Sequence, residues 1–514
     1  MLVKTYSAEL MGLGVVTVTI ETNINPGVLL RVSGLADAAV KESFDRIKAA
    51  FINIGKKMPV AEITVNLSPA DMKKEGSGYD LSMAIGILGA SGKIKTDMLG
   101  EYMMIGELGL DGMLRPVRGV LPLSIKARSD KFKGLIVPKE NAREAAVVNN
   151  LDVYGMESLG DVIRFFNGEK FEPTIVDTRK EFYENQSHFD LDFADVRGQE
   201  NVKRALEVAA AGGHNLIMVG PPGSGKSMMA KRLPSILPPL TLAESLETTQ
   251  VYSVAGKMQR NSSLICQRPF RSPHHSISQV ALVGGGTTPK PGEISLAHNG
   301  VLFCDELPEF SRVALEVMRQ PLEDRTITIS RAKYTIEFPC SFMFVASMNP
   351  CPCGYYGDTT HNCVCTPGQI QRYMNKISGP LLDRIDIQCE ITPVPFKDIS
   401  TVQQGEASEK IRERVIRARD IQEARYKDIK GMHCNAQMNE RMIHQYAEPD
   451  TAGLNMLRFA MEKLNLSARA YSRILKVART IADLEASENI TTSHLAEAIS
   501  YRSLDRGDWA ERGL

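Results

Sequence analysis

Residues 220–227 read Gly-Pro-Pro-Gly-Ser-Gly-Lys-Ser and fit the spacing G-x-x-x-x-G-K-[ST]. The apolar run before them, residues 215–219, is typical of a strand, and residues 228–233 after them are typical of a helix. In a strand–loop–helix unit of this kind, glycines let backbone N–H groups turn inward around phosphate oxygens. The motif predicts a nucleotide site in which Lys226 contacts the β- and γ-phosphates and Ser227 contacts Mg²⁺. The predicted binding residues are Gly220, Pro221, Pro222, Gly223, Ser224, Gly225, Lys226 and Ser227.

The composition bounds the class of protein. A chain of 514 residues is too long for one domain and predicts about three. Lysine plus arginine equals aspartate plus glutamate at 61 each, so any nucleic-acid binding must come from local basic patches. The start lacks a signal-peptide pattern, and no apolar run approaches the length of a membrane span. A cytoplasmic protein without a membrane partner is the expectation.

Breaks in the hydrophobic pattern divide the chain into three domains. We predict domains at 1–172, 191–396 and 397–514, with residues 173–190 as a polar interdomain linker. The first domain alternates strand and helix signals and carries no phosphate loop.

Local patterns in this first domain predict three elements. Apolar residues at helical spacing predict a helix over residues 36–54. Asp80 is placed to cap a second helix, which starts after a glycine-rich stretch. Residues 103–118 form a hairpin signal, with Asp111-Gly112 suited to a type I′ turn.

Two carboxylates follow a buried strand in the second domain. Residues 301–304 are apolar and lead directly into Asp305 and Glu306. An acidic strand end is the second element expected after a phosphate loop, because Asp305 can hold the Mg²⁺ of bound ATP and Glu306 can accept a proton from the attacking water. The alternative for Asp305 is a helix N-cap.

Four of the nine cysteines lie within residues 351–365. Cys351, Cys353, Cys363 and Cys365 have the spacing C-x-C-x₉-C-x-C, and four thiolates satisfy a closed tetrahedral Zn²⁺ site. The C-x-C spacing is tighter than the usual one, so His361 is an alternative ligand. Reduced thiols without a metal are the other alternative.

Two further stretches carry charge or metal-ligand chemistry. Residues 326–338 read as a hairpin whose tip carries Arg331 and Lys333, two cations suited to sequence-independent contact with phosphates. The hairpin resembles one that faces the ring pore in the helicase and chelatase branch of AAA+ proteins, and this resemblance implies that the two residues contact DNA. The alternative is a charged hairpin edge that only preserves solubility. His274 and His275 suggest a metal weakly, because adjacent side chains diverge in most backbones. Resemblance to AAA+ proteins implies the other interpretation, a pore loop or an insert that contacts the substrate.

The hairpin at 103–118, after its glycine-rich helix start, resembles the Lon-protease-like domain over about residues 10–150. Lon-type proteases need a Ser/Lys pair. Here Ser77 lacks the expected flanking residues and Pro122 occupies the region of the lysine, so no base remains to activate a nucleophile. The resemblance implies a non-proteolytic domain for DNA contact or assembly, although a solvated basic face is equally compatible. Its candidate basic residues are Lys73, Lys74, Arg115 and Arg118.

The second and third domains resemble AAA+ ATPases. Asn349 follows a further apolar strand, where these ATPases carry the polar sensor that orients the attacking water. Residues 379–386 resemble a magnesium chelatase segment whose arginine reaches a neighbour's nucleotide site, which implies an arginine finger at Arg384 acting in trans. A surface ion pair is the alternative for Arg384. The Ser-x-Arg that opens a lid helix implies a second sensor at Arg469, with Arg473 as the competing choice.

Together these features resemble the magnesium-chelatase-like AAA+ family called YifB or ComM. The resemblance implies an α/β fold class with a Lon-protease-like α+β front domain, an AAA+ P-loop α/β domain and a C-terminal helical lid. It also implies a homo-hexameric, ATP-driven DNA motor that promotes branch migration in natural transformation, with recombination proteins as further partners. A magnesium-chelatase-type metal insertase and an ATP-switched scaffold are the alternatives.

Overall fold

A computed structural model of the chain describes residues 1–187, 189–259, 262–286, 289–330, 335–358, 361–392, 405–429, 431–464 and 466–502. The amino-terminal third is built on a seven-stranded mixed sheet with the strand order β3-β4-β2-β1-β5-β8-β9. Its strands, with the small β6/β7 pair, are β1 Leu2–Met11, β2 Gly14–Asn25, β3 Leu29–Ser33, β4 Glu62–Ser68, β5 Tyr102–Met104, β6 Glu107–Leu108, β7 Leu114–Arg115, β8 Gly134–Pro138 and β9 Asp152–Met156. Its helices are α1 Ala38–Lys41, α2 Ser43–Asn53, α3 Asp80–Ala90, α4 Val120–Ser129, α5 Ala142–Ala145 and α6 Leu159–Phe166.

Three local predictions for this part are corrected. The helix expected over residues 36–54 is interrupted at Glu42, between α1 and α2. Asp80 is not a helix cap, because its carboxylate accepts hydrogen bonds from Ser43 and from Arg46. The hairpin forms, but β6 and β7 are joined by the five residues 109–113. Asp111 does not have the positive φ that a type I′ turn requires.

The basic face expected on this domain does not form as one surface. Lys74 is fully buried, and its ammonium donates to the backbone oxygens of Pro69 and Met72. Arg115 pairs with Asp111 at 3.0 Å, whereas Lys73 lies beside Glu75. The remaining candidate, Arg118, packs against Gly256 of the second domain. The four side chains therefore have separate environments, and burial removes Lys74 from any exposed patch.

The predicted linker is partly helical and packed. Residues Thr178–Asn185 form α7, and Phe182 on this helix is buried. It belongs to an apolar cluster that joins Leu121 of the front domain to Leu240 and Leu264 of the second domain. The segment thus contributes a hydrophobic contact between the two domains rather than a free connection.

The second domain is built on a five-stranded parallel sheet with the order β11-β14-β17-β10-β18. Its strands and two small hairpins are β10 Leu216–Val219, β11 Phe270–Arg271, β12 Gly284–Gly285, β13 Lys290–Pro291, β14 Val301–Cys304, β15 Thr326–Ser330, β16 Thr335–Pro339, β17 Met343–Met348 and β18 Ile387–Glu390. Its helices are α8 Glu200–Gly212, α9 Lys226–Arg232, α10 Leu242–Ala255, α11 Gln279–Val283, α12 Glu293–Leu296, α13 Arg312–Val317, α14 Arg319–Asp324, α15 Pro367–Met374 and α16 Gly379–Leu382.

This sheet is buried on both faces, as parallel sheets usually are. Every residue of β10, β14 and β17 is buried, which explains why these strands read as continuous apolar runs. Because all five strands point the same way, their carboxyl ends share one edge of the sheet and their amino ends share the opposite edge.

The carboxyl-terminal part is helical. Its helices are α17 Ser408–Tyr426, α18 Glu440–Tyr446, α19 Thr451–Leu464, α20 Ala468–Leu484 and α21 Thr492–Ser500. One apolar cluster runs from α8 and β10 into α17 and α20, so the helical part packs directly on the second domain. Among the described residues, no helix combines the length and the apolar character needed to cross a membrane.

Candidate active site

The loop at residues 220–225 connects β10 to α9 at the carboxyl edge of the sheet. Gly223 and Gly225 have φ values of +77° and +89°, which residues with a side chain rarely adopt. The Lys226 ammonium is buried and donates to the carbonyl oxygens of Gly220 at 2.7 Å and Pro221 at 2.8 Å. Burial lowers the pKa of Lys226, and the charge of Asp305 only partly offsets this shift. A bound polyphosphate would stabilise the charged ammonium.

The predicted acidic residues lie next to this loop. Ser227 donates to the Oδ2 atom of Asp305 at 2.5 Å, while Ser347 donates to the Oδ1 atom of the same carboxylate. The pairing of β14 with β17 explains the second contact, because Asp305 and Ser347 end neighbouring strands. A hydroxyl and a carboxylate at one point are oxygen ligands of the kind that Mg²⁺ prefers. Residues 220–227 and Asp305 therefore fit ATP with Mg²⁺.

Glu306 lies beside the loop with an unusual backbone. Its φ of 51° is left-handed, a conformation that costs about 1–3 kcal/mol for a residue with a side chain. The Glu306 N–H donates to Asp305 at 3.1 Å, which holds this conformation. The carboxylate is 58% exposed, so it can meet a water molecule from the solvent side. This placement is suited to a general base.

Asn349 comes into direct contact with the loop. It follows β17, and its Oδ1 atom accepts a hydrogen bond of 3.2 Å from the Lys226 ammonium. A backbone hydrogen bond also joins the loop to the end of β17, because the Gly220 N–H donates to the carbonyl of Met348 at 3.2 Å. The structure thus brings Lys226, Ser227, Asp305, Glu306 and Asn349 together.

Arg384 and Arg469 lie at the opposite edge of the sheet. Arg384 precedes β18, and its guanidinium donates to Glu323 and to the carbonyl of Pro380. Its Nε atom is buried and has no hydrogen-bond partner within the described part of the chain. Arg469 is 69% exposed and lies 3.0 Å from Asp383, an exposed ion pair of the kind that contributes less than about 1 kcal/mol. Both arginines line one cavity of about 570 Å³.

Arg473, the competing choice for the second sensor, also lines this cavity but has a structural partner. It lies 2.5 Å from Asp386, which is buried and also contacts His214 at 3.1 Å. Burial would raise the pKa of Asp386, but Arg473 and His214 outweigh it and hold this pKa well below its usual range. Burial also lowers the pKa of the nearby Lys476 to about 8. Arg469 is therefore the more available of the two arginines.

The four predicted metal ligands converge. The Sγ atoms of Cys351, Cys353, Cys363 and Cys365 all lie within 4.8 Å of one another, and the Cys351 sulfur is 3.3 Å from that of Cys353 and 3.7 Å from that of Cys363. In a tetrahedral site with Zn–S bonds of about 2.3 Å, sulfur atoms lie about 3.8 Å apart. The cysteine cluster therefore fits Zn²⁺.

The surroundings of the cysteine cluster lower the pKa of Cys353 but raise the pKa values of Cys363 and Cys365, and His361 lies outside the ligand set. Burial raises the pKa of Cys353, but backbone N–H groups of Tyr355 and Val364 outweigh it, and the pKa falls to about 6. The imidazole of His361 lies 3.5 Å from Asp358 and stacks on the Tyr355 ring. The alternative in which His361 replaces a cysteine is thus not the arrangement found.

The predicted DNA contacts cannot be placed. The pairing of β15 with β16 confirms the hairpin, in a register that ends at Ser330 and Thr335. Its tip, with Arg331 and Lys333, lies outside the described residues.

Sequence reasoning missed two polar neighbours of the acidic residues. The His275 Nε2 atom lies 3.9 Å from the Glu306 carboxylate, and the His275 ring lies against that of His274, with the ring centres 4.1 Å apart and the planes tilted by 35°. This is a contact with the predicted base rather than a metal arrangement. Ser347 was missed as well, although its place at the end of an apolar strand beside the acidic strand was a usable signal.

Comparison with known families covers most of the chain in three consecutive matches. Residues 192–399 match the family described as magnesium chelatase, subunit ChlI, and residues 20–141 match subunit ChlI of Mg-chelatase. Residues 405–502 match the ChlI C-terminal family. A shorter similarity, 31% identity over 159 residues, relates 28% of the chain to 27% of Lon protease 2 from Bacillus subtilis. The predicted fold class is confirmed.

Two relatives match over nearly their whole length. Competence protein ComM from Haemophilus influenzae is 46% identical over 506 residues, which covers 98% of this chain and 97% of the relative. The protein YifB from Escherichia coli, described as uncharacterized, is 43% identical over 505 residues and 96% of each chain. Membership of this AAA+ family supports an ATPase activity. The chain belongs to the magnesium-chelatase-like YifB/ComM family.

Proposed function

We propose that this protein is an ATP-driven motor that acts on DNA as a ring of six identical chains. The observation that carries the proposal is the division of the site between two edges of one parallel sheet. Lys226 and Glu306 lie at the carboxyl edge, whereas Arg384 and Arg469 lie at the amino edge.

The length of the strands separates the two groups of residues within one chain. Residues 216–219 of β10 rise about 13 Å at 3.3 Å per residue, and the loop follows their far end. Arg384 precedes the parallel β18, so its side chain cannot reach phosphates held at Lys226 of the same chain. A second copy, docked with its amino edge against the loop, completes the site. Head-to-tail contacts of this kind form a closed ring when the rotation from each copy to the next adds up to a full turn.

Arg469 lies on the same side of the sheet as Arg384 and is likewise remote from the phosphate loop of its own chain. It lines the cavity with Arg384 and carries only a weak ion pair, so it is free to turn toward a neighbour's γ-phosphate. Both arginines would then act on the ATP of the neighbouring copy, where bound Mg²⁺ would neutralise charge between the phosphates. Arg384 and Arg469 stabilise the remaining negative charge, while Glu306 accepts the proton of the attacking water.

The DNA substrate is supported by two features. The pairing of β15 with β16 is described as far as Ser330 and Thr335, and the sequence between these two residues carries Arg331 and Lys333, two cations that six copies would present toward a common pore. The relative from Haemophilus influenzae carries the name competence protein, which agrees with a role in competence.

We expect DNA to stimulate ATP hydrolysis, and a mobile junction to stimulate it most. Replacing Arg331 and Lys333 by glutamine removes phosphate contacts, so branched-DNA unwinding should fall at least about tenfold while hydrolysis without DNA is kept. The measurement compares hydrolysis rates with no DNA, single strands, duplex and a junction. Lys41→Gln with Lys48→Gln, two exposed front-domain lysines, is the matched control. Full unwinding by the Arg331/Lys333 variant contradicts the pore contact, and the absence of any DNA stimulation favours a chelatase motor or a scaffold.

We further propose that the cysteine cluster holds one structural Zn²⁺ per chain. Metal analysis of protein purified under reducing conditions should find one zinc, and Cys353→Ser or Cys363→Ser should lose it because a closed site needs four ligands. Cys266→Ser, outside the cluster, and His361→Ala should both keep the zinc. Protein that contains no zinc, or that loses it in His361→Ala, contradicts this ligand set.

A further inference from the structure

The cysteine cluster lies against the phosphate loop. The turn after Cys353 passes through Gly354, which is buried and has a φ of +89°. A Cβ atom at Gly354 would lie 2.6 Å from Cδ and 2.8 Å from Cγ of Pro222. Pro222 is part of the loop at residues 220–225, so the backbone of the cluster rests directly on the ring of a phosphate-loop residue.

A second connection joins the cluster to the same loop. Cys351 follows two residues after Asn349, whose Oδ1 atom accepts from the Lys226 ammonium at 3.2 Å. Within the cluster, the Gly354 N–H donates to the carbonyl of Cys351 at 3.0 Å. The segment from Asn349 to Gly354 therefore touches the phosphate loop at both of its ends, once by a hydrogen bond and once by packing.

We propose that the cysteine cluster is a support for the phosphate loop, so that metal held by its four thiolates sets the affinity of the loop for ATP. Without a metal, the four cysteine side chains would no longer be tied to one point, so the turn at Gly354 would lose its support and Pro222 would lose a packing partner. The inference rests on the proposed ATP and zinc binding, and it adds a link between them. It makes the ATPase sensitive to metal chelation or thiol oxidation at a site that holds no nucleotide.

The loop offers a matched pair of variants. Gly354→Ala places a methyl group against the Pro222 ring, whereas Gly357→Ala, with a similar φ of +78°, meets no atom within 4 Å. Both changes impose the same kind of backbone strain, and only the first presses on the phosphate loop. We expect Gly354→Ala to weaken binding of a fluorescent ATP analogue about tenfold, as overpacking of a close contact does, and Gly357→Ala to bind as the unaltered protein does. Both should keep one zinc per chain.

A double-mutant cycle isolates the contact. In a Pro222→Ala background the ring is gone, so Gly354→Ala should add no further loss of affinity. If Gly354→Ala binds ATP normally, or if both glycine variants lose affinity equally, the support of the loop is overturned. If the unaltered protein itself does not bind the ATP analogue, the proposed function fails instead.

The role of the metal is tested by measuring the affinity for the ATP analogue before and after zinc is removed. Chelation should remove zinc and lower the affinity for the ATP analogue about tenfold, and added Zn²⁺ should restore it, while thermal unfolding confirms that the chain stays folded. Unchanged affinity in protein shown by metal analysis to be free of zinc would overturn the control by metal. The cysteine cluster would then support the phosphate loop, but metal binding would not control the affinity for ATP.

Discussion

Lys226→Ala should weaken ATP binding at least about 30-fold, and Glu306→Gln should lower hydrolysis about 10²–10⁴-fold while ATP stays bound. The buried ammonium of Lys226 would pair with the phosphates of bound ATP. Removing one partner of such a buried charge pair costs about 2–5 kcal/mol, or about 30-fold and more in affinity. Glutamine keeps the size of Glu306 but cannot accept the proton of water, a role that contributes about 10²–10⁴ in rate.

Matched controls separate these effects from general damage. Lys231 is exposed on the same helix as Lys226, and Glu309 is an exposed acid three residues after Glu306. Lys231→Ala and Glu309→Gln should both bind and hydrolyse ATP normally. Measured hydrolysis that is unchanged in Lys226→Ala or Glu306→Gln would show that the site lies elsewhere.

The elements that sequence predicted best are those fixed by local chemistry. The phosphate loop requires left-handed glycines between a buried strand and a helix, and the structure has them at Gly223 and Gly225. Asp305 and Asn349 end apolar strands, and parallel pairing alone brings strand ends to one edge. The C-x-C pairs likewise needed only a short loop to converge.

The elements that sequence missed depend on distant parts of the chain. Asp80 has the position of a helix cap, but Arg46, 34 residues away, binds its carboxylate. Lys74 looks like a surface cation until the carbonyl groups that bury it are known. His275 contacts Glu306 only because β11 and β14 lie side by side. Contacts of this kind follow from tertiary packing, which no local pattern encodes.

The division of the site also could not be derived from spacing. Arg384 and Arg469 were expected near the γ-phosphate by resemblance, without a statement of which copy supplies Arg469. The parallel register of β10 and β18 puts both arginines at the edge remote from the loop. Under the proposed function, the assignment of Arg384 to the nucleotide site therefore requires a second copy of the chain.

We therefore expect Arg384→Ala to lower ATP hydrolysis by about 10³–10⁵ without loss of ATP binding, because an arginine that acts in trans stabilises charge only in the transition state. Arg372→Ala, an exposed arginine of α15, should hydrolyse ATP normally. Hydrolysis rates and binding of the ATP analogue, measured on the same preparations, test both statements.

Mixing two inactive chains tests the trans arrangement directly. Glu306→Gln chains carry an intact Arg384, and Arg384→Ala chains carry an intact phosphate loop and base. In a randomly mixed ring about one interface in four unites the two intact halves, so hydrolysis should reappear although neither variant is active alone. If Arg384 acted within its own chain, every site in the mixture would lack one group. No recovery in rings shown by differently tagged chains to be mixed would therefore contradict the shared site, and with it the ring.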